Sequence, residues 1–491
     1  MTSRLLVAAA VPIVPLVAAG AAATLRGSRA LRSLAFAGGA LTAVLAGVTA
    51  GWALLDPGHP LRGRFVVVDV AGGVLVGVIA LVGALSLLVS PTYLASSGRS
   101  LFPAHRAAPN YYTALLIFWS ALLAVPLAAN VGAAWLLIEG TTAASALLVA
   151  FSGKPRALEA AWKYLVLTSL GLGAAFLGII VLQAAQHRAG GTVGLSYTSI
   201  QAASPGLDHH VAVVAYLLLL GGLAAKIGWA PVHNWLPDAH SEAPPPISAM
   251  LSAALLPAVL LVAWRVQHAL AAAVGAGTSR NVFLVFGLAS LAVAVPFLWR
   301  PLAWKRLLAY SSLEHMGVIA LGIGFGSQLA LIGAIVHVAG HAIAKALGFY
   351  AAIPLLAVQP STASHPARGV GRTDPRMGAV LGLCLGTLAG LPPSPLFVSE
   401  LLIALGGIES GHTAVVVVAV ALLALGFLGL AHALIDAVSG RRHALRPGVP
   451  VGRGLVVALA AGAVVALLAV TVAGLELPGS SIADALSRGL A

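Results

Sequence analysis

The chain has 491 residues, of which 60% are apolar and only 8% charged, and its mean hydropathy is +1.00. Soluble proteins carry about 25% charged residues, so this composition cannot dress a water-facing surface; soluble enzymes and nucleic-acid-binding modules are excluded in favour of a protein whose solvent is lipid. The net charge of +13 is the basic excess expected of loops facing anionic lipid, and the single cysteine, Cys384, excludes an internal disulfide, a thiolate zinc site and an iron–sulfur cluster.

Apolar stretches long enough to cross a bilayer recur near 5–24, 31–54, 65–91, 110–129, 131–152, 163–184 and 211–230. Seven more follow near 246–270, 281–298, 311–325, 328–355, 376–408, 412–437 and 453–475. They predict an all-α polytopic membrane protein with about 14 transmembrane helices, because the runs are continuous rather than alternating and lipid offers backbone groups no outside partner. The first run, with Arg4 ahead of it, has the outline of a secretory signal, but its prolines and weak basic start favour an uncleaved first helix. Loops after odd-numbered spans hold 18 Lys and Arg residues, among them Arg26, Arg99, Lys163, Lys305, Arg442 and Arg446; the remaining loops and the termini hold seven, including Arg265 and Arg280. Eighteen against seven predicts a multi-pass membrane protein with both termini outside the cytoplasm.

Only five residues are lysines, and two of them, Lys226 and Lys345, lie inside apolar runs. Glu139, Glu314 and Glu400 are similarly placed. A charge at mid-bilayer costs at least about 2.5–3.5 kcal/mol, so five such positions point to function rather than ornament. For Glu314 and His315, at the start of their predicted span, a structural role is equally well supported. Asp69 reads as interfacial, and Asp436 and Arg441 as ordinary boundary charges. His337, His341 and Lys345 follow one another at four-residue steps and so share one helical stripe. The lysine at the third position would repel a cation and a third metal ligand is missing, so no metal is expected there. A proton relay fits better, since imidazole accepts on one nitrogen and donates from the other near neutral pH.

Prolines mark two interrupted helices. KIGWAPVHNWLPDAHSEAPPPISA carries Pro231 and four further prolines beside Lys226, and LAGLPPSPLFVSELL carries three beside Glu400. Breaks inside a membrane are tolerated where protein or water satisfies the freed backbone, and discontinuous helices build ion sites in transporters. Asp238, His233 and His240 lie in or after the first break, where proton uptake and helix capping are equally good readings of the histidines. Glu139 precedes Lys226 by 87 positions and Glu314 precedes Glu400 by 86. This predicts two five-helix repeats, inverted because five is odd. The expected organisation is 1–109 for three leading helices, 110–270 and 281–437 for the repeats, and 453–491 for a last helix and tail.

The string KIGWAPVHNWLPDAHSEAPPPISAMLS resembles the signature of the proton-conducting subunits shared by respiratory complex I, Mrp-type sodium/proton antiporters and membrane-bound hydrogenases. The resemblance runs from about Asp69 to about Leu405 and takes in WKYLVLTSLG, KRLLAYSSLEHMG, HVAGHAIAKALGFY and GLPPSPLFVSELL. YSSLEHMG and the GLPP segment are most similar to membrane component F of hydrogenase-4 or formate hydrogenlyase, with a carbon-dioxide-uptake protein and the complex I proteins close behind. The resemblance implies a proton-translocating subunit in which Glu139, Lys226, His337, His341, Lys345 and Glu400 form the path. It also implies further membrane subunits and a peripheral redox or hydration module as partners. Many relatives carry a lysine or histidine where this chain has Pro257, and Pro395 stands where they tend to glycine. The chain has no CxxC, no nucleotide-binding glycine fingerprint and no serine elbow, so it carries no cofactor of its own and any redox chemistry comes from partners. The alternatives are a free-standing sodium/proton antiporter, which would favour a carboxylate and carbonyl cage, and a structural scaffold.

If Glu139 and Lys226 stand about 7 Å apart, an effective dielectric near 20 gives a pair energy of roughly 2.4 kcal/mol. Movement of the glutamate by a few ångströms would then switch the lysine between holding and releasing a proton.

Overall fold

The computed structural model describes residues 3–25, 28–96, 100–190, 193–441 and 452–488; Arg26, Arg99, Arg442 and Arg446 lie outside them. Helices α1 (Ser3–Thr24), α2 (Ser28–Leu55) and α3 (Val70–Ser96) lead, with a small hairpin of β1 (Leu61–Arg62) and β2 (Val67–Val68) between the last two. Next come α4 (Ala104–Ala124), α5 (Val131–Val149), α6 (Pro155–Arg188), the short α7 (Tyr197–Ala203) and α8 (His209–Ile227). After a break follow α9 (Leu236–Glu242) and α10 (Pro245–Met250), and α10 runs through a π-helical turn at Leu251–Leu255 into α11 (Leu256–Val274). The second half holds α12 (Ala276–Leu298), α13 (Trp304–Phe325), α14 (Gln328–Val358), the single turn α15 (Val370–Thr373), α16 (Pro375–Leu388) and α17 (Pro395–Glu409). α18 (Thr413–Ser439), α19 (Arg453–Glu476) and α20 (Ser481–Arg488) complete it.

The protein is an all-α, multi-pass membrane protein. Twelve of the described helices, with α10 and α11 taken as one rod, are long and apolar enough to cross a bilayer. α4, of 21 residues, and the interrupted pair α16 and α17 fall outside that count. Three predicted spans change shape. The run at 376–408 is two helices, the run at 110–129 is the helix Ala104–Ala124, and the run at 311–325 begins at Trp304. The last shift matters, because it moves Glu314 from the start of a helix to its middle. Lys305 and Arg306 read as loop charges, yet they sit in the first turn of α13, and Lys305 is buried against protein. α13 is the least apolar of the twelve and is nonetheless buried along nearly its whole length. A helix buried on every face is surrounded by other helices.

Both broken helices stop at a glycine in the left-handed region, where a side chain is strained. α8 ends on Gly228 (φ +78°) and resumes as α9, while α16 ends just before Gly390 (φ +70°) and resumes at Pro395. Ser394 caps the second restart by accepting the Phe397 N–H at 3.3 Å.

Connections sort to two ends of the bundle. At one, Arg4 meets Asp56 at 3.8 Å, the hairpin bridges to Ala128, Asn130 bridges to Ser196, and Gln328 donates to Asp484 at 2.8 Å. α1 therefore starts, and α20 lies, at the same end. At the other, Leu101 donates to Phe151, Asp238 meets Arg306 at 3.1 Å, and Arg453 meets Asp374 at 3.1 Å. Arg265, a loop charge by its position in the sequence, is not one: it is buried within α11 and pairs with Asp69 at 2.9 Å. Asp69 is correspondingly a structural partner, which a reading of its neighbours in sequence could not reveal.

Small residues bring α6 and α8 into backbone contact, as is common where helices cross in lipid. A Cβ at Gly222 would overlap the Gly171 carbonyl oxygen and the Ala175 nitrogen. Gly222→Ala should therefore push the two helices apart at a cost of about 1–3 kcal/mol. The check is thermal unfolding of the protein in detergent, and an unchanged midpoint contradicts this packing.

Candidate functional site

Lys226, in the last turn of α8, is fully buried. Its Nζ donates to Thr142 Oγ1 on α5 at 2.7 Å and to Tyr164 OH on α6 at 2.5 Å. Tyr164 OH in turn lies 2.7 Å from Ser145 Oγ. Glu139 sits one helical turn before Thr142 and accepts from Ser169 Oγ at 2.7 Å, leaving Oε2 without a partner. Among the described residues no ion pair joins Glu139 to Lys226. The lysine is held by hydroxyls, which solvate its ammonium without neutralising it.

The first break packs against the second half of the chain. Trp229 Nε1 donates to Met316 O at 3.1 Å, and the Ala230 N–H donates to Ser290 Oγ at 3.1 Å. Pro231, Val232 and Asn234 are exposed, and His233 is half-buried. Asp238 lies between Lys163 and Arg306 in surface ion pairs, away from the buried groups. His240 is different. It is fully buried between Trp235 and Phe349, and neither ring nitrogen makes a hydrogen bond among the described residues. Lys305 donates to Ser241 O at 2.7 Å and Ala243 O at 2.5 Å, satisfying the carbonyls that end α9. Pro257 follows the π-helical turn without breaking the rod, and the same turn presents Ser252 to Ser312 at 2.7 Å.

In the second half, α13 and α14 run side by side and interleave their polar groups. Lys345 Nζ donates to Leu308 O at 2.6 Å and to Ser311 Oγ. The His341 ring lies 5.0 Å from that of His315, and His315 Nδ1 is 3.0 Å from His337 Nε2. His337 Nδ1 meets Ser399 Oγ on α17 at 2.8 Å, and the next residue is Glu400. Glu400 and Glu314 line one cavity of about 470 Å³ whose other walls are largely apolar. Gly426 on α18 gives the Glu314 carboxylate its space, since a Cβ there would land on it.

The predicted residues thus fall into two groups. Glu139 and Lys226 form one; Glu314, His315, His337, His341, Lys345 and Glu400 form the other. His240 and Lys305 stand between the break and α14, while Asp238, His233 and Pro231 lie toward the surface. Sequence reading missed Thr142, Tyr164, Ser169, Ser311 and Ser399, because a hydroxyl in an apolar helix carries no signal of what it faces. Lys305 was missed because a lysine at a span boundary reads as a loop marker.

The family model described as NADH:quinone oxidoreductase/Mrp antiporter, transmembrane, matches residues 128–426. The chain belongs to this antiporter family. Both groups of buried polar residues lie within the matched region. A hydrogenase-4 component F homolog of Methylacidiphilum infernorum is 32% identical over 348 residues, covering 70% of this chain and 72% of that protein. The N subunit of an NADH-quinone oxidoreductase from Desulforudis audaxviator is 29% identical, covering 75% of this chain and 72% of that protein. Among solved structures, a chain of an archaeal membrane-bound sulfane sulfur reductase superposes with a TM-score of 0.83 at 20% identity over 99% of this chain and 97% of its own. A chain of the Mrp complex of a Dietzia species superposes at 0.81 and 20% identity, over 99% and 97%. At such identities the likeness is one of fold, and it extends beyond the family match to both ends of the chain.

Proposed function

We propose that this antiporter-family protein is the proton-translocating membrane subunit of a multisubunit, redox-driven complex of the hydrogenase-4 or complex I type. The observation that carries the reading is the buried row Lys345, His341, His315, His337 and Glu400, contributed by three helices and ending at a cavity. Lys226 with Glu139 forms the other half of the path, and His240 and Lys305 stand between the halves. In the working cycle a perturbation from a partner moves charge near Glu139. Lys226 passes its proton toward α14, and Glu400 exchanges it through the cavity. The electron-transferring module belongs to other subunits.

We also infer that the chain is built as two repeats, 110–270 and 281–437. Each has a glutamate helix (α5, α13), a long helix (α6, α14), a helix broken at a glycine (α8 and α9, α16 and α17) and a closing helix (α11, α18). With α4 and the broken α16–α17 counted as crossings, the spans number fourteen, which agrees with α1 and α20 lying at one end. The basic end, with Lys154, Arg156, Arg306, Arg368 and Arg453, then faces the cytoplasm.

The test is proton movement in vesicles carrying the whole complex. Lys345→Ala should abolish proton movement while the complex still assembles, because Ser311 keeps Leu308 O as a partner at 3.1 Å once the lysine is gone. The movement should not depend on sodium. An unchanged proton yield per turnover in this variant overturns the proposal.

A further inference from the structure

Among the described residues His315 Nε2 makes no hydrogen bond although its ring is buried, and the same holds for both nitrogens of His341. Such orphaned donors and acceptors are costly in an apolar interior. Beside these rings, α13, α14 and α17 converge. There, one ligand atom from each of His315, His337 and Glu400 lies within 4.8 Å of the other two.

We propose that His315, His337 and Glu400 bind a divalent transition-metal ion of the zinc class. Two imidazoles and a carboxylate are the donor set such ions take when a fourth position stays open to water. In a tetrahedron with bonds of about 2.0–2.1 Å the ligand atoms stand about 3.4 Å apart, and the two facing nitrogens, His315 Nδ1 and His337 Nε2, are already 3.0 Å from each other. Glu400 closes the remainder, because it borders the cavity and has room to swing. Ser399 fixes the outer nitrogen of His337 at 2.8 Å, which leaves Nε2 aimed at the ion. The fourth ligand, a water, comes from the cavity, where Glu314 Oε2 stands without a partner to receive its hydrogen bond.

Charge balance favours the site. The carboxylates of Glu400 and Glu314 offset the two positive charges. Lys345 is two turns along α14 from His337, about 12 Å of helix rise, and is engaged with Leu308 O and Ser311. The spacing of His337, His341 and Lys345 along one helix argues against a metal, but the structure draws its second histidine from α13 and its acid from α17 instead. One consequence rests on the proton path proposed above: an ion on His337 Nε2 and Glu400 blocks proton exchange at the end of the row.

The site is tested on the full chain in detergent micelles, with Co²⁺ as the spectroscopic probe and Zn²⁺ as competitor. The background is His209→Ala/His210→Ala, which removes a competing exposed histidine pair at the start of α8, rings 5.6 Å apart. One Co²⁺ equivalent with nitrogen and oxygen ligand-field bands is expected, displaced by Zn²⁺ and weakened at least about tenfold in His315→Gln and in Glu400→Gln. X-ray absorption of zinc bound to the unmutated site needs no folded variant and should show two imidazoles. Bands that persist unchanged in both variants, or a zinc shell with fewer than two imidazoles, overturn the site. Zinc that binds as expected but leaves proton movement by the whole complex intact supports the metal site and counts against the proton path alone.

Discussion

Lys226→Ala is expected to abolish proton movement by the whole complex without unfolding the protein. Removing a fully buried lysine relieves the chain of an expensive ammonium and leaves no stranded partner behind. Tyr164 OH keeps Ser145 Oγ at 2.7 Å, and Thr142 Oγ1 keeps Ile138 O at 3.1 Å. The fold should therefore be indifferent to the side chain, whereas transport along the proposed path requires it. Tyr164→Phe, which deletes one of the two hydrogen bonds to the ammonium, should lower the rate by less. A hydrogen bond to a charged group contributes about 1.5–3 kcal/mol, so a tenfold to hundredfold loss is expected. Proton uptake by vesicles carrying the whole complex, measured beside its redox turnover, separates the two variants. Full coupling in Lys226→Ala removes the lysine from the path.

Arg265→Ala has the largest expected effect on stability. The guanidinium is almost fully buried, donates to Asp69 at 2.9 Å and to Pro126 O at 2.8 Å, and lies 5.7 Å from the Tyr197 ring. It ties α11 to the start of α3 and to the end of α4. Removing one partner of a buried pair leaves the other charge uncompensated, which costs about 3–5 kcal/mol. The double variant Arg265→Met/Asp69→Asn removes both charges and should recover much of that loss. Unfolding midpoints in detergent decide the matter, and a single variant as stable as the double would show that the pair is screened by water rather than buried.

The relation between these two residues explains where sequence reading succeeded. Lys226 stood out because it is an ionisable group within an apolar run, and lipid makes that arrangement costly whatever surrounds it. Glu139, Lys345, Glu400 and the histidines of α14 were legible for the same reason. Arg265 was misjudged because it lies near the end of its run, where the same residue type marks a loop. Glu314 was misplaced in its helix because Lys305 and Arg306 ahead of it read as a boundary.

Length and hydropathy by themselves determined that the chain is a bundle of membrane helices, since its apolar runs are continuous rather than alternating as in a barrel, and a helix satisfies its own backbone hydrogen bonds in a hydrocarbon. Proline clusters beside charges located both broken helices, and the motif strings pointed to the family. The sequence could not say which side chains meet. Spacing along one helix placed His337 with His341 and Lys345, yet the hydrogen-bond partners of His337 are His315 and Ser399, from two other helices. The direct partners of Lys226, Thr142 and Tyr164, come from two other helices and could not be read from its own. Helix periodicity tells which residues share a face, whereas the rotation and depth at which two helices pack depend on small residues such as Gly171 and Gly222 meeting across the crossing. Those contacts are made between segments distant in the chain, so only the tertiary structure decided the order of groups along the buried row.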